Sequence, residues 1–223
     1  MSKNIFVACD TISISKVKKI IKHTQTKKLK IGYKFGLEFL NSKRGRSFVS
    51  KLKNKIIFLD LKLNDIPNTC ISAVKAIKDL KINYLTIHIN SGLDALKAVK
   101  KVSGKIKIVG VTTLTSLDDK NLKEIGYSKT VKNLILHQAK LANKARLDAL
   151  VTSPNEVKYV RKIFKKEIIT PGIRLLGDKS NDQKRIMTPK NAFKNGATSI
   201  VVGRSVTKGN IKNNLIKLIQ SLD

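Results

Sequence analysis

Residue types that nucleic-acid-binding proteins commonly use are scarce in this chain of 223 residues. It has no tryptophan, only 5% of its residues are aromatic, and only seven of its 46 basic residues are arginines. Specific contacts to nucleic acids favour arginine and stacked aromatic rings. The composition therefore argues against a protein that recognises a nucleic acid specifically.

Cysteine and histidine are also rare, and neither is clustered. Cys9 and Cys70 lie far apart and form no Cys-x-x-Cys pair, and His23, His88 and His137 are scattered along the chain. Structural metal sites and disulfide frameworks need closely spaced ligands or patterned cysteines. We therefore expect no structural zinc, and a reducing compartment.

The sequence has no long apolar segment. Its first ten residues, MSKNIFVACD, contain a short apolar stretch that ends at Asp10. This does not fit a secretory signal peptide, and no stretch approaches the roughly 20 apolar residues that a membrane span needs. We expect a soluble, cytoplasmic protein that has no membrane partner.

Acidic residues are outnumbered, with 15 Asp and Glu against 46 Lys and Arg, for a formal net charge of +31. Clustered positive charge attracts polyanions, but the lysines here are spread through nearly every predicted helix, as at Lys18, Lys75, Lys97 and Lys158. We interpret them as a solvated surface. Weak, salt-sensitive binding of polyanions is the alternative.

What the sequence does contain is an alternation of short β-branched runs and longer segments of helical periodicity, which is typical of βα units around a parallel sheet. Eight such runs are the number that closes a barrel, so we predict an α/β protein with one (β/α)8 TIM-barrel domain over residues 1–223. A helix is predicted from Ile66 to Leu80. The predicted strands are Ile5–Asp10, Lys30–Lys34, Ile56–Lys62, Tyr84–Ile89, Lys107–Thr112, Ala149–Ser153, Glu167–Thr170 and Ser199–Val202.

Most of the predicted strands end in, or are followed by, polar residues, and the carboxyl ends of barrel strands are where active sites form. The third strand is the most informative, because Asp60 and Lys62 are two residues apart and should project to the same face, with Asp65 in the turn that follows. Asp10 and Lys34 would add a second acid and a second base. A salt-bridged strand end is the alternative, but buried ion pairs are weak evidence for stability, so the pattern favours a functional site.

The segment Asp60-Leu-Lys-Leu-Asn-Asp-Ile-Pro-Asn-Thr69 resembles the catalytic signature of the orotidine 5′-phosphate decarboxylase family. Six further blocks resemble that family in its order and along the whole chain. They are Val7-Ala-Cys-Asp10, Lys34-Phe-Gly-Leu-Glu38, Val111-Thr-Thr-Leu-Thr-Ser116, Thr170-Pro-Gly-Ile-Arg174, Asp182-Gln-Lys-Arg-Ile-Met-Thr-Pro189 and Val202-Gly-Arg-Ser205.

The resemblance implies an enzyme that converts orotidine 5′-monophosphate to UMP and CO2 without a metal or another cofactor. Lys62 would donate a proton to C6 of the pyrimidine, and Asp60 would lie against the substrate carboxylate. Asp65 would reach into the site from the neighbouring subunit of a homodimer, with Ile66 and Thr69 in the same shared segment.

The resemblance also assigns residues that bind the substrate. Ribose hydroxyls would be held by Asp10 and Lys34, the base or sugar by Thr115 and Ser116, and the phosphate by Gln183, Gly203 and Arg204, with Arg174 beside them. Residues 175–186 are rich in Gly, Asp, Ser, Asn and Lys, and we expect a long mobile loop there that closes over the phosphate.

Departures from the family pattern are mild. Asn64 stands where many relatives have histidine, and the basic residues Lys43, Arg44 and Arg46 have no clear counterpart. One competing interpretation is a magnesium-dependent sugar-phosphate decarboxylase or aldolase, which we would expect to lack the Ile-Pro-Asn-Thr segment and the Asp-Gln-Lys-Arg loop. The other is an inactive barrel retained as a polyanion-binding or structural protein.

Overall fold

The structure, a computed structural model, describes residues 4–175 and 186–222. Within these residues, eight parallel strands pair in sequence order, and the last pairs with the first to close a barrel. This confirms the predicted fold class. The strands are β1 Asn4–Ala8, β2 Lys30–Gly36, β3 Ile56–Leu63, β4 Tyr84–His88, β5 Lys107–Val111, β6 Ala149–Val151, β7 Glu167–Thr170 and β8 Ser199–Val202.

Helices follow the strands and surround the barrel. Short 3₁₀ turns at Lys78–Leu80 and Ile89–Ser91 precede β4 and follow it. The helices are α1 Ile14–His23, α2 Leu37–Leu40, α3 Gly45–Ser50, α4 Pro67–Ala76, α5 Gly92–Val102, α6 Asp119–Glu124, α7 Val131–Lys144, α8 Val157–Ile163, α9 Pro189–Lys194, α10 Arg204–Thr207 and α11 Ile211–Gln220.

The strands separate two apolar cores. Successive side chains of a strand point to opposite faces, so one set of strand residues fills the barrel and the other packs under the helices. The inner core is closed by edge-to-face contacts of the Phe6 ring with the Phe58 and Tyr84 rings, whose centroids lie 5.0 and 5.1 Å away. The outer core is larger and includes Val7 and Leu59, which alternate with these inward residues.

Hydroxyl side chains define where several helices begin. The Ser13, Thr130 and Thr188 hydroxyls accept hydrogen bonds from backbone N–H groups three residues later, at the starts of α1, α7 and α9. Such caps satisfy N–H groups that have no partner inside the helix. Pro189 takes the first position of α9, where its fixed φ suits a helix and its missing N–H costs nothing.

All eight predicted strands are present, and the bounds of β7 and β8 are as predicted. Other ends differ: β1 stops at Ala8 and β6 at Val151, so Asp10 and Ser153 lie in loops. The predicted helix over residues 66–80 is wrong at both ends. It begins at Pro67 because Ile66 is extended, with ψ 156°, and it gives way to the 3₁₀ turn after Ala76.

Arg46 gains a structural account. Its guanidinium donates to both carboxylate oxygens of Asp79, at 2.8 and 2.9 Å, and to the carbonyl of Ala76, at 3.0 Å. It therefore ties α3 to the carboxyl end of α4, where helix carbonyls lack partners. Nothing in the structure explains Lys43 or Arg44.

Residues 176–185 lie outside the described residues, so the predicted long loop is not described. Among the helices at 4–175 and 186–222, none combines the length and the apolar composition needed to cross a bilayer.

Candidate active site

A cavity of about 460 Å³ opens at the carboxyl ends of the strands. Eight of the residues predicted for the site line it: Asp10, Lys34, Asp60, Lys62, Thr115, Arg174, Gly203 and Arg204. Apolar side chains of the inner core, including Phe58 and Val201, form its floor. The cavity is thus charged toward its walls and apolar at its base, as small-molecule sites commonly are.

The end of β3 is irregular at the residues of greatest interest. Leu59 pairs with Leu85 and Leu63 pairs with Ile87, so β3 contains two more residues than β4 between these pairs. Lys62 lies in this bulge with φ 50°, in the left-handed region that lysine rarely adopts. Bulges and strained residues re-aim side chains and occur often next to active sites.

Thr86 of β4 holds the bulge in place. The Thr86 hydroxyl accepts a hydrogen bond from the Lys62 backbone N–H at 2.7 Å, and it donates to Asp60 Oδ1 at 3.2 Å. The Thr86 side chain is fully buried. It therefore supplies the Lys62 amide with the partner that a regular ladder would have provided.

Acidic and basic groups alternate across the cavity wall. Asp60 Oδ2 lies 2.8 Å from Lys62 Nζ and 3.3 Å from Lys34 Nζ, so one carboxylate oxygen bridges two ammonium groups. Lys34 Nζ also donates to Asp10 Oδ1 at 3.1 Å. The predicted meeting of Asp60 and Lys62 is confirmed, and the four side chains form a chain of opposite charges.

The charged forms of Asp60 and Lys34 stabilise each other. Burial alone would raise the pKa of Asp60, but the Lys34 and Lys62 ammonium groups outweigh it and hold that pKa below its usual value of 3.8. Burial would lower the pKa of Lys34, yet Asp60 and Asp10 raise it above 10.5. Asp60 and Lys34 are therefore both ionised across the neutral pH range.

His88 ends β4 close to the ammonium of Lys62. Burial, and then the positive charge of Lys62, lower the pKa of His88 below 6.5, with Asp60 opposing. The imidazole is therefore neutral at pH 7. Within the described part of the chain, the ring has no hydrogen-bond partner.

The loop after β5 is fixed from behind. Gln138 of α7 is buried, and its side-chain oxygen accepts hydrogen bonds from the backbone N–H of Thr113, at 2.9 Å, and from the Thr113 hydroxyl, at 3.2 Å. Its amide nitrogen donates to Asn90 Oδ1 at 2.9 Å. This network presents Thr115 to the cavity, whereas Ser116 is exposed and does not line it.

The opposite wall comes from the ends of β7 and β8. Gly203 follows β8 directly, and Arg204 begins α10. Arg174 lies four residues after β7, and only 7% of it is exposed. Its guanidinium donates to the Ile173 carbonyl at 2.9 Å. Two guanidinium groups thus border one end of the cavity, while Gln183 lies outside the described residues.

The three residues of the predicted shared segment also lie apart from the cavity of their own chain. Asp65, Ile66 and Thr69 are all exposed and do not line it. The Asp65 carboxylate accepts a hydrogen bond from the backbone N–H of Ile66, at 2.7 Å. Two thirds of the Ile66 side chain is open to solvent, which is unusual for an isoleucine.

Sequence reasoning missed Thr86 and Gln138, which hold site residues without lining the cavity. Gln138 lies in α7 and Thr86 inside β4, so neither is at the carboxyl end of a strand, where barrel sites form. Polarity was the signal that could have identified Thr86. It is a polar residue between apolar Leu85 and Ile87, and the alternation of the strand predicts that its side chain points into the barrel.

Comparisons with known proteins agree along the chain. The model of the orotidine 5′-phosphate decarboxylase / HUMPS family matches residues 3–214. An orotidine 5′-phosphate decarboxylase of Prochlorococcus marinus strain MIT 9215 is 39% identical over 234 residues, covering 98% of this chain and 95% of the relative. One of Bacillus cytotoxicus is 39% identical, covering 93% and 92%. The crystal structure of the Lactobacillus acidophilus enzyme has a TM-score of 0.84 at 29% identity, covering 99% of each chain.

Proposed function

The chain belongs to the orotidine 5′-phosphate decarboxylase / HUMPS family, and we propose that it converts orotidine 5′-monophosphate to UMP and CO2, the last step of UMP biosynthesis. One observation carries this proposal: the Lys62 ammonium lies in the cavity, 2.8 Å from the buried Asp60 carboxylate and on a strained backbone. The relatives named above as decarboxylases support the same substrate. The cytoplasm is the proposed location.

The reaction places its greatest demand on one carbon atom. When the bond between C6 and the carboxylate carbon breaks, the electron pair stays on C6, and the ring cannot delocalise it. An ammonium group beside C6 stabilises this charge more in the transition state than in the ground state, which is the condition for catalysis. Lys62 Nζ then transfers a proton to C6, and solvent reprotonates the amine.

The surroundings of Lys62 suit this role. Its side chain is one third exposed, toward the cavity, whereas the side chain of Asp60 is only 13% exposed. Asp60 therefore pairs with Lys62 from the buried side and leaves N–H groups of the ammonium free to face a substrate. In the same proposal Asp60 adjoins the substrate carboxylate, while Asp10 and Lys34 bind ribose hydroxyls.

The phosphate is assigned to the opposite wall. Arg204 presents a planar guanidinium that can bind phosphate oxygens in pairs, and Gly203 lets the backbone approach closely. Arg174, Thr115 and Ser116 complete the proposed contacts of the described residues, and Gln183 is proposed from the sequence. Remote contacts of this kind orient a substrate and hold its reacting carbon in place.

A homodimer with shared active sites is part of the proposal. Exposed apolar side chains follow four strands at the face where the cavity opens: Ile12, Leu37, Ile66 and Leu114. Large apolar side chains left exposed at one face of a protein favour an interaction surface there. A second copy bound there would cover Ile66 and Thr69 and would bring the partner's Asp65 beside Lys62.

Mixing two inactive variants tests the shared site. Equal amounts of Lys62→Ala and Asp65→Ala subunits, unfolded and refolded together, should recover about a quarter of the wild-type activity, because half of the dimers then contain one intact site of two. In the control, the double variant is mixed with the wild type, and each heterodimer site lacks one group. Recovery no better than either variant alone would mean that each chain forms its own site.

The activity itself is tested by following the ultraviolet absorbance of orotidine 5′-monophosphate with EDTA present. We expect full turnover, since the proposed reaction uses no metal and no cofactor. Turnover that disappears with EDTA and returns with magnesium would contradict the metal-free reaction. No turnover under either condition would leave the inactive polyanion-binding barrel.

A further inference from the structure

Thr86 contacts both members of the central ion pair, although it does not line the cavity. Its buried hydroxyl bonds the Lys62 backbone at 2.7 Å and Asp60 Oδ1 at 3.2 Å. A hydroxyl has one hydrogen to donate. Here that hydrogen goes to Asp60, while the oxygen accepts the Lys62 N–H, so a single side chain joins the two residues through different atoms.

The contact to Asp60 sets how its carboxylate is turned. With Oδ1 occupied by Thr86, Oδ2 is the oxygen that meets Lys62 Nζ, at 2.8 Å, and Lys34 Nζ, at 3.3 Å. Without the hydroxyl, the carboxylate could rotate and share its oxygens differently between the two ammonium groups. Asp60 would then no longer hold the Lys62 ammonium in one position.

The contact to Lys62 holds a backbone that would otherwise relax. The two extra residues of β3 remove the regular ladder partner, and φ of Lys62 is 50°. A strained conformation persists only where its surroundings over-determine it. The Thr86 hydroxyl is the partner that the described structure gives to this amide, and Thr86 is fully buried.

We propose that Thr86 is a positioning residue, whose hydroxyl holds the Lys62 backbone and the Asp60 carboxylate in the arrangement that points the Lys62 ammonium into the cavity. The inference rests on the proposed function of Lys62. Thr86 itself does not line the cavity. Its removal should therefore lower kcat and leave binding nearly unchanged.

The test replaces Thr86 with Val, which has the same shape and no hydroxyl. A misplacement near 1 Å can cost about 100-fold in rate, so we expect kcat to fall roughly 10-fold to 100-fold. KM and the affinity for UMP should stay within about threefold of the wild type. Thr86→Ser keeps the hydroxyl and should restore most of kcat. Thr86→Ala replaces the Val variant if the latter does not fold.

Thr24→Val is the matched control for lost buried hydrogen bonds. The Thr24 hydroxyl is also fully buried, and it bonds the Ile20 carbonyl and the Tyr33 hydroxyl at the end of α1, away from the cavity. Its loss should lower Tm and leave kcat unchanged. A Thr86→Val variant with wild-type kcat, or a Thr86→Ser variant as slow as Thr86→Val, would overturn the inference.

Amide hydrogen exchange at Lys62 separates this inference from the proposed function, because it needs no turnover. We expect faster exchange in Thr86→Val than in the wild type and in Thr24→Val. Unchanged exchange would overturn the positioning role. If the wild type does not decarboxylate orotidine 5′-monophosphate, the proposed function fails, while the exchange rates still decide whether Thr86 holds Lys62.

Discussion

Charged groups occur at both ends of this barrel, but they are arranged differently. At the amino-terminal end, Lys107 pairs with Glu167, and Tyr84 contacts both. At the carboxyl end, Asp60 is shared by two ammonium groups and opens onto a cavity. The first cluster matches one acid with one base. The second keeps an ammonium directed at empty volume, which a structural ion pair does not require.

The backbone differs in the same way. Lys107, Glu167 and Tyr84 each begin a strand in regular pairing, whereas Lys62 lies in a bulge with positive φ. Strain is retained where a function depends on it. The geometry around an ion pair, rather than its presence, therefore separates a catalytic candidate from a structural one.

The largest contrast should come from removing one lysine at each end. Lys62→Ala should lower kcat by roughly 10³-fold or more, since it removes the charge that we propose at the reacting carbon. Phosphate affinity should remain largely intact. Lys107→Met should keep kcat and lower the unfolding free energy by about 1 kcal/mol, because Glu167 loses its partner. Turnover and thermal unfolding are measured for both variants. A Lys62→Ala enzyme of near-normal activity would contradict the difference in function between the two ends of the barrel.

Arg204 provides the next largest effect. Arg204→Ala should raise KM by about 10-fold to 100-fold, the usual cost of losing hydrogen bonds to a charged group. Substrate binding should be disturbed more than folding, because Arg204 is exposed. Steady-state kinetics and circular dichroism check this. An unfolded variant would mean that Arg204 is structural, like the Lys107 cluster.

Salt should reveal whether charge acts beyond either cluster. With a net charge of +31, attraction of the anionic substrate should make kcat/KM fall several-fold between about 50 and 500 mM salt, as screening shortens the range of the field. The value of kcat at saturation should stay constant. If kcat/KM does not respond to salt, the lysines are only a solvated surface.

The smallest effect concerns His88. The pKa of His88 is lowered in the folded protein, so just below pH 6.5 the unfolded chain binds a proton at His88 and the folded chain does not. The Tm should therefore fall as the pH drops below 6.5. In His88→Gln this fall in Tm should be smaller by about 1–2 °C. Tyr84 and Lys107, at the amino-terminal end of the barrel, cannot make Tm depend on pH near 6.5, since their pKa values are raised from 10.0 and 10.5. Equal slopes of Tm against pH in the wild type and in His88→Gln would contradict the assignment of this effect to His88.

The sequence predicts the barrel well because its information is local. Short apolar runs between polar turns locate β7 and β8 to the residue. The two-residue period of a strand also predicts that the Asp60 and Lys62 side chains lie on the same face. The rule behind that prediction assumes a regular strand, however, and the strand bulges where they lie.

What the sequence could not provide depends on distant pairings. The bulge of β3 exists relative to β4, and Thr86 acts on residues 24 and 26 positions earlier. No spacing along one strand contains such a contact. Asp65 and Ile66 show a related difficulty, because their proposed role depends on a second chain. Ser116 was predicted from its block, and in the structure it faces solvent.

A crystal structure of the protein with UMP tests the central claim most directly. We predict Lys62 Nζ within hydrogen-bonding distance of C6, about 3 Å, the phosphate at Arg204, and the partner's Asp65 next to Lys62. A nucleotide bound with C6 turned away from Lys62, or a site without any residue from a second chain, would contradict it.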